Sequence, residues 1–164
     1  HSHYAGQIGG LGGKNTNDLA KETDLAIAVG TKLADFTTGS WANFENEKFR
    51  LVSINVSRFD ANKHLAQAVV GDAKVSLIEL SKALGDWKVG DEWNEKSQRE
   101  LKIWNEHIDK ESAPTNQEVP SYVQVIGAIY RNSEPTDIAV TAAGGLVGEV
   151  AVSYTHLRAP RDSV

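Results

Sequence analysis

Cysteine is absent from these 164 residues, which excludes disulfide staples, thiolate nucleophiles and zinc–thiolate centres. An excess of positive charge is lacking too: 17 Lys and Arg face 22 Asp and Glu, for a net charge of −5. No basic stripe concentrates the cations, so a nucleic-acid partner is not expected. No apolar run approaches the ~20 residues needed to cross a bilayer, so a membrane partner is not expected either. Residues 1–10 lack the basic start and apolar core of a secretory signal, and a cytoplasmic location is the expectation. Hydrophobic content of 40% and charged content of 24% are those of an ordinary globular protein. The length allows one domain, or one domain and a part of the next.

What the sequence does contain is an alternation of short apolar runs and amphipathic segments. Leu25–Val29 is a five-residue apolar run closed by Gly30, as expected of a strand buried on both faces of a parallel sheet. Residues 51–56 (LVSINV) form a second candidate strand, and Val69-Val70 a third, very short one. A short helix is expected over residues 18–22, and a longer one over Ala73–Leu84. The longer one carries apolar residues at Val75, Leu77, Ile78, Leu80 and Leu84 for laying against the sheet, and Gly85 for its stop. Alternating strands and helices predict an α/β layer architecture. Beyond Gly85 the composition shifts to charge and tryptophan, and residues 91–110 read as one or two amphipathic helical segments. Residues 112–120 (SAPTNQEVP) read as a linker, Ser121 as the cap of a helix over Tyr122–Arg131, and residues 137–142 (DIAVTA) as another buried strand.

Four stretches could carry chemistry. The run Gly9-Gly10-Leu11-Gly12-Gly13 suits either a flexible loop or a ligand-facing turn, but no strand precedes it as in a dinucleotide fingerprint. Residues 31–41 offer hydroxyls at Thr31, Thr37, Thr38 and Ser40, the carboxylate of Asp35, and aromatic Phe36 and Trp41. They could hold a polar ligand at a strand end or form hydrogen-bonded turns that pack an interface. In residues 57–64 (SRFDANKH), Asp60 could meet a ribose, and Arg58 and Lys63 a phosphate; solvated caps and ion pairs are the plainer reading. Residues 142–149 (AAGGLVGE) place glycines where a strand end could cradle a diphosphate, or simply make a tight turn. The five histidines share no metal-ligand spacing, and no Ser/His/Asp set is supported.

Three segments together resemble one known family. GTKLADFTTGSWANF, NVSRFDANKH and VIGAIYRNSEPTDIAVTAAGGLVGEV are similar to the thiamine-diphosphate-dependent 3D-(3,5/4)-trihydroxycyclohexane-1,2-dione hydrolase family of myo-inositol catabolism, within the acetolactate-synthase-like superfamily. The likeness covers about residues 1–151. It implies a Rossmann-like parallel-sheet central domain over residues 1–111, truncated at its start, and a linker over 112–119. The first helix and strand of a diphosphate-binding domain would follow over 120–151. It implies thiamine diphosphate and Mg2+ as cofactors of the whole enzyme, a small-molecule substrate cut at a ring carbon–carbon bond, and a homodimer or homotetramer. Gly144, Gly145 and Gly148 match the loop that approaches the cofactor diphosphate, although Gly145 and Val147 depart from the family's A-x-G-S-L-P-G-D pattern.

The family's cofactor-activating glutamate belongs to a domain upstream of His1, and no G-D-G…N magnesium run follows Glu149. The chain therefore reads as an internal fragment, inactive alone, with no catalytic residue and no metal ligand of its own. Residues 152–164 break from the likeness and resemble translated sequencing-adapter sequence, a non-native tail. The alternatives are a fragment of a flavin- or ADP-binding acetolactate-synthase-like enzyme, a nucleotide-binding Rossmann-like module using residues 57–64, and a ligand-free packing domain.

Overall fold

A computed structural model describes residues 3–150, apart from 135, 139, 142 and 143. Three strands, β1 (Leu25–Val29), β2 (Arg50–Asn55) and β3 (Gln67–Val70), form a parallel sheet in the order β1-β2-β3. Leu25 pairs with Arg50 through to Val29 with Ile54, and Val52 pairs with Gln67 through to Asn55 with Val70. Parallel neighbours need a crossover between them, which brings both connecting loops off the same edge. Neither crossover contains a long helix. The first holds one turn, α2 (Asp35–Thr38); the second holds α3 (Arg58–Ala61) and a 3-10 turn, Lys63–Leu65. Side chains of the first crossover therefore do the covering that a helix would do elsewhere. Trp41 and Phe49 pack with Ala26 and Ala66 on the buried group Ala28, Leu33 and Leu51.

Before the sheet lies α1 (Lys14–Glu22), which buries Leu19 and Ala20. It packs against α5 (Asp91–Glu111) and is tied to it by the Lys96–Glu22 ion pair. Between β3 and α5 runs α4 (Ala73–Leu84), capped where the Asp72 carboxylate accepts the Val75 N–H at 3.0 Å. Gly85 ends it with a φ of +54°, a conformation that glycine adopts without steric cost. Next comes α6 (Tyr122–Arg131), which starts in a capping box: Ser121 Oγ accepts from the Gln124 N–H while Gln124 returns the bond to the Ser121 N–H. It docks on the end of α5 through Ile126 against Ile108, flanked by Trp104 and Tyr130. Gly127 permits the close approach, since a Cβ there would sit 2.4 Å from the Ser112 carbonyl oxygen. Arg131 donates to that same carbonyl at 2.9 Å.

The expected α/β architecture is present, and four local readings are corrected. Strand β1 is not buried on both faces: Leu25, Ile27 and Val29 stay 48%, 43% and 37% exposed. A three-stranded sheet is too narrow to be covered throughout, and an apolar-lined cleft of about 440 Å³ runs beside β1, walled by residues of α1 and by Trp93. Helix α4 has the expected bounds, but none of its residues is buried, and Val75, Leu77, Ile78 and Leu84 remain 42–59% exposed. Residues 137–142 form no strand where they are described; Ile138 and Val140 are 87% and 91% exposed. A strand persists only with a ladder partner, and none of the described strands lies beside this segment. The glycine-rich turn after it is instead a short helix, α7 (Gly145–Glu149). Residues 152–164, read as a non-native tail, lie outside the described residues.

Ile126 is 1% exposed and joins α6 to α5. Ile126→Ala is expected to cost about 2–4 kcal/mol of that docking. In hydrogen exchange, amides of α6 should lose protection while those of β2 keep theirs; equal loss in both would mean that α6 and the sheet unfold as one unit.

Candidate functional site

The loops leaving the carboxyl ends of β1 and β2 are the place where an open parallel sheet presents groups to a ligand. In the first loop, the Gly30 N–H donates to the Ile54 carbonyl at 2.9 Å and prolongs the ladder by one bond. Two of the hydroxyls that could have faced a ligand, those of Thr31 and Thr38, are engaged in turns. Thr31 Oγ accepts from the Leu33 N–H, and Thr38, 1% exposed, donates to the Ala34 carbonyl and accepts from the Trp41 N–H. The Ser40 N–H donates to the Asp35 carbonyl, and Phe36 is 74% exposed. Of the two readings of residues 31–41, the packed turn is the one that the geometry supports.

The second loop is joined to the first in two places. Asn55, at the end of β2, donates its amide to the Thr31 carbonyl at 3.2 Å and accepts from the Ser57 N–H at 2.9 Å. His64 Nε2 lies 3.1 Å from the Leu33 carbonyl, and its ring stacks on Trp41 at 4.0 Å and 19°. Because a carbonyl only accepts, that nitrogen carries the proton. Asp60 is engaged as well. A hydrogen bond from Lys63, then one from Ser57, then the more distant charge of Lys32 hold its carboxyl below the usual carboxylate range. The Lys63 ammonium lies 2.9 Å from Asp60 and also sits over the Phe59 ring at 5.0 Å. Asp60 and Lys63, two of the three residues proposed for a ribose and a phosphate, thus form a cap and an ion pair, while Arg58 is exposed.

The N-terminal glycine run is a close-packed turn. Its Gly10 N–H donates to the Phe36 carbonyl at 2.7 Å, and Asn17 both accepts from the Gly9 N–H and donates to the Gly9 carbonyl. Asn43 donates to the same Asn17 oxygen at 3.0 Å. One amide thereby ties together the glycine run, α1 and the first loop. Sequence reasoning missed Asn17, Asn43 and Asn55, and no local pattern distinguishes them from surface amides. Gly9 is required by geometry: its φ is +100°, and a Cβ there would fall 2.1 Å from the Phe36 carbonyl oxygen.

The cofactor candidates Gly144, Gly145 and Gly148 lie at the start and within α7. Gly144 has a φ of +135° with open space where a Cβ would stand. Gly145 lies against the Tyr122 ring, and Gly148 against Leu11 of the N-terminal glycine run. Among the described residues no group of three or more His, Asp or Glu could hold a metal ion, and no helix is long and apolar enough to cross a membrane.

Backbone conformation marks the two joined loops. Among the described residues five non-glycine residues have positive φ, Leu33 (48°), Ser40 (53°), Trp41 (71°), His64 (56°) and Leu65 (57°), and all five belong to these loops. Each such residue costs about 1–2 kcal/mol over the right-handed form.

A parallel sheet with its loops gathered at one edge defines an α/β layer domain, and sequence comparison agrees: residues 1–80 match the thiamine pyrophosphate enzyme central domain model. That stretch, just under half of the chain, is similar to the central domain of thiamine pyrophosphate enzymes. The chain is similar to the 3D-(3,5/4)-trihydroxycyclohexane-1,2-dione hydrolase 2 of Bacillus cereus (strain ZK / E33L), 46% identical over 80 residues, which are 49% of this chain and 12% of the relative. It is also similar to the 3D-(3,5/4)-trihydroxycyclohexane-1,2-dione hydrolase of Clostridium perfringens (strain 13 / Type A), 36% identical over 110 residues, 67% of this chain and 17% of the relative. The matched part of the chain thus spans less than a fifth of the length of either relative.

Two substitutions test the turn geometry. Gly9→Ala should destabilise by at least about 2 kcal/mol, because both the backbone and the Phe36 carbonyl oppose it. Gly10→Ala, whose Cβ would meet only the Phe36 ring at 3.5 Å, should stay within about 1 kcal/mol of wild type in urea denaturation. A third substitution tests Asp60. Its folded-state pKa is lowered, so its stabilisation is complete above the usual carboxylate range and fades as pH falls through the folded value. Asp60→Asn should therefore be less stable than wild type at neutral pH, and the gap should close below about pH 4.

Proposed function

We propose that the chain is part of a thiamine-diphosphate-dependent hydrolase that cleaves a ring carbon–carbon bond of 3D-(3,5/4)-trihydroxycyclohexane-1,2-dione in inositol catabolism. The observation that carries this reading is the shared name of the curated relatives, together with the family match over residues 1–80. In this reading residues 1–111 form the central domain, 112–119 the linker and 120–151 the start of the diphosphate-binding domain. Gly144, Gly145 and Gly148 lie near the cofactor diphosphate; the positive φ and open space at Gly144 support backbone access there. Bound thiamine diphosphate supplies the electron sink for carbon–carbon cleavage, and the protein orients it. Magnesium accompanies the diphosphate, with its ligands outside the described residues. The whole enzyme is cytoplasmic and homo-oligomeric, and this chain alone is inactive.

The central domain serves packing and orientation in this reading. Asp60, Asn55 and His64 are already engaged with the chain's own groups, which argues against an adenine-nucleotide module. The test is an assay of the longer polypeptide containing this stretch with the cyclic dione, following ring opening by NMR. Ring opening that requires added thiamine diphosphate is the expected result. Condensation of pyruvate without action on the dione would overturn the substrate assignment in favour of an acetolactate-synthase-like enzyme. Turnover of the dione by the 164-residue chain alone would overturn the claim that it is inactive.

A further inference from the structure

We propose that His64 is a latch that holds residues 31–44 of the first crossover closed over the sheet. This crossover is unusual in carrying only one helical turn, α2, so its backbone hydrogen bonds do not hold it as a rod. It covers Ala28 and Leu51 mainly through Leu33 and Trp41. Both of these residues, with Ser40, have left-handed backbone that relaxes if the segment is released. The side chain of His64 touches both at once. Its ring stacks on Trp41, and its Nε2–H donates to the Leu33 carbonyl, a residue 31 positions earlier in the chain.

Left-handed backbone at Leu33 and Trp41 and a two-point contact from His64, itself left-handed, make a closure with two states on segments tethered elsewhere by the Gly10–Phe36, Asn43–Asn17 and Asn55–Thr31 hydrogen bonds. In the closed state the imidazole offsets the strained backbone at Leu33 and Trp41. In the open state Leu33 and Trp41 lift from Ala28 and Leu51 and their φ angles relax, while the bonds from Gly10 to Phe36 and from Asn43 to Asn17 keep the segment tethered. Trp41 packs with Phe44 and Phe49 at centroid distances of 5.1 and 6.2 Å, so the far end of the segment pivots against Phe49. The latch itself is at the surface, with His64 exposed, so its removal deletes no core volume. Phe49 and Asn46 lie beyond the latched segment and anchor its far end: the Phe49 N–H donates to the Asn46 carbonyl, and Asn46 donates to the Glu22 carbonyl.

Hydrogen exchange on the 164-residue chain tests this directly. His64→Ala should speed exchange across residues 31–44 by roughly tenfold or more while β2 keeps wild-type protection. Unchanged exchange in 31–44 would overturn the latch. Equal loss of protection in β2 would overturn it too, because His64 would then support the whole fold. His64→Phe keeps a ring for Trp41 but has no donor for Leu33, and a partial rise is expected. Wild-type protection in that variant would overturn the two-point contact. In the unmutated protein, ring protons of His64 should be shifted upfield by the Trp41 indole in the NMR spectrum, and random-coil shifts there would refute the closed state.

Discussion

Parallel pairing of β1 with β2 is the constraint on which the rest of the molecule depends. Once Leu25 is opposite Arg50 and Val29 opposite Ile54, the chain must return from one end of the sheet to the other between the strands. The return path is residues 30–49, and it has to cover the sheet face as it passes. In most parallel sheets a helix does both tasks. Here the path has a single helical turn, and aromatic packing and a few turn bonds take over the covering. The consequences are visible in the backbone: left-handed residues cluster in this crossover and in the next, where side-chain contacts compensate for them.

Polar side chains complete what the short helices leave open. Asn17 bonds to both backbone groups of Gly9 and receives Asn43, joining three segments far apart in sequence. Asn55 does the same for the ends of the two strands. Bonds of this kind add little net stability one at a time, but a buried amide left without partners would cost more than a bond contributes. Their effect is to select one arrangement of the loops.

Several elements were legible because their signals are local. Helices α4 and α6 have the bounds read from the residues, since Asp72, Gly85 and Ser121 act within a few positions of the helix ends they define. The run Leu25–Val29 is a strand for the same reason. Residues 137–142 carry an equally apolar pattern and form no strand where described, because pattern alone cannot supply a neighbour. Apolar residues of α4 and β1 that were expected in a core are exposed, because burial depends on what lies across from them. The glycine run was open to two readings until the position of the Phe36 carbonyl became known.

By itself the sequence determined the fold class, the bounds of the capped helices and the family likeness carried by the loop after β1. These follow from residue type and short-range spacing. Tertiary structure alone decided that His64 meets Leu33 and Trp41, and that Asn17 joins the glycine run to the first loop. The pairing register brings residues separated by tens of positions within bonding distance, and contacts of that range leave no periodic trace in the chain.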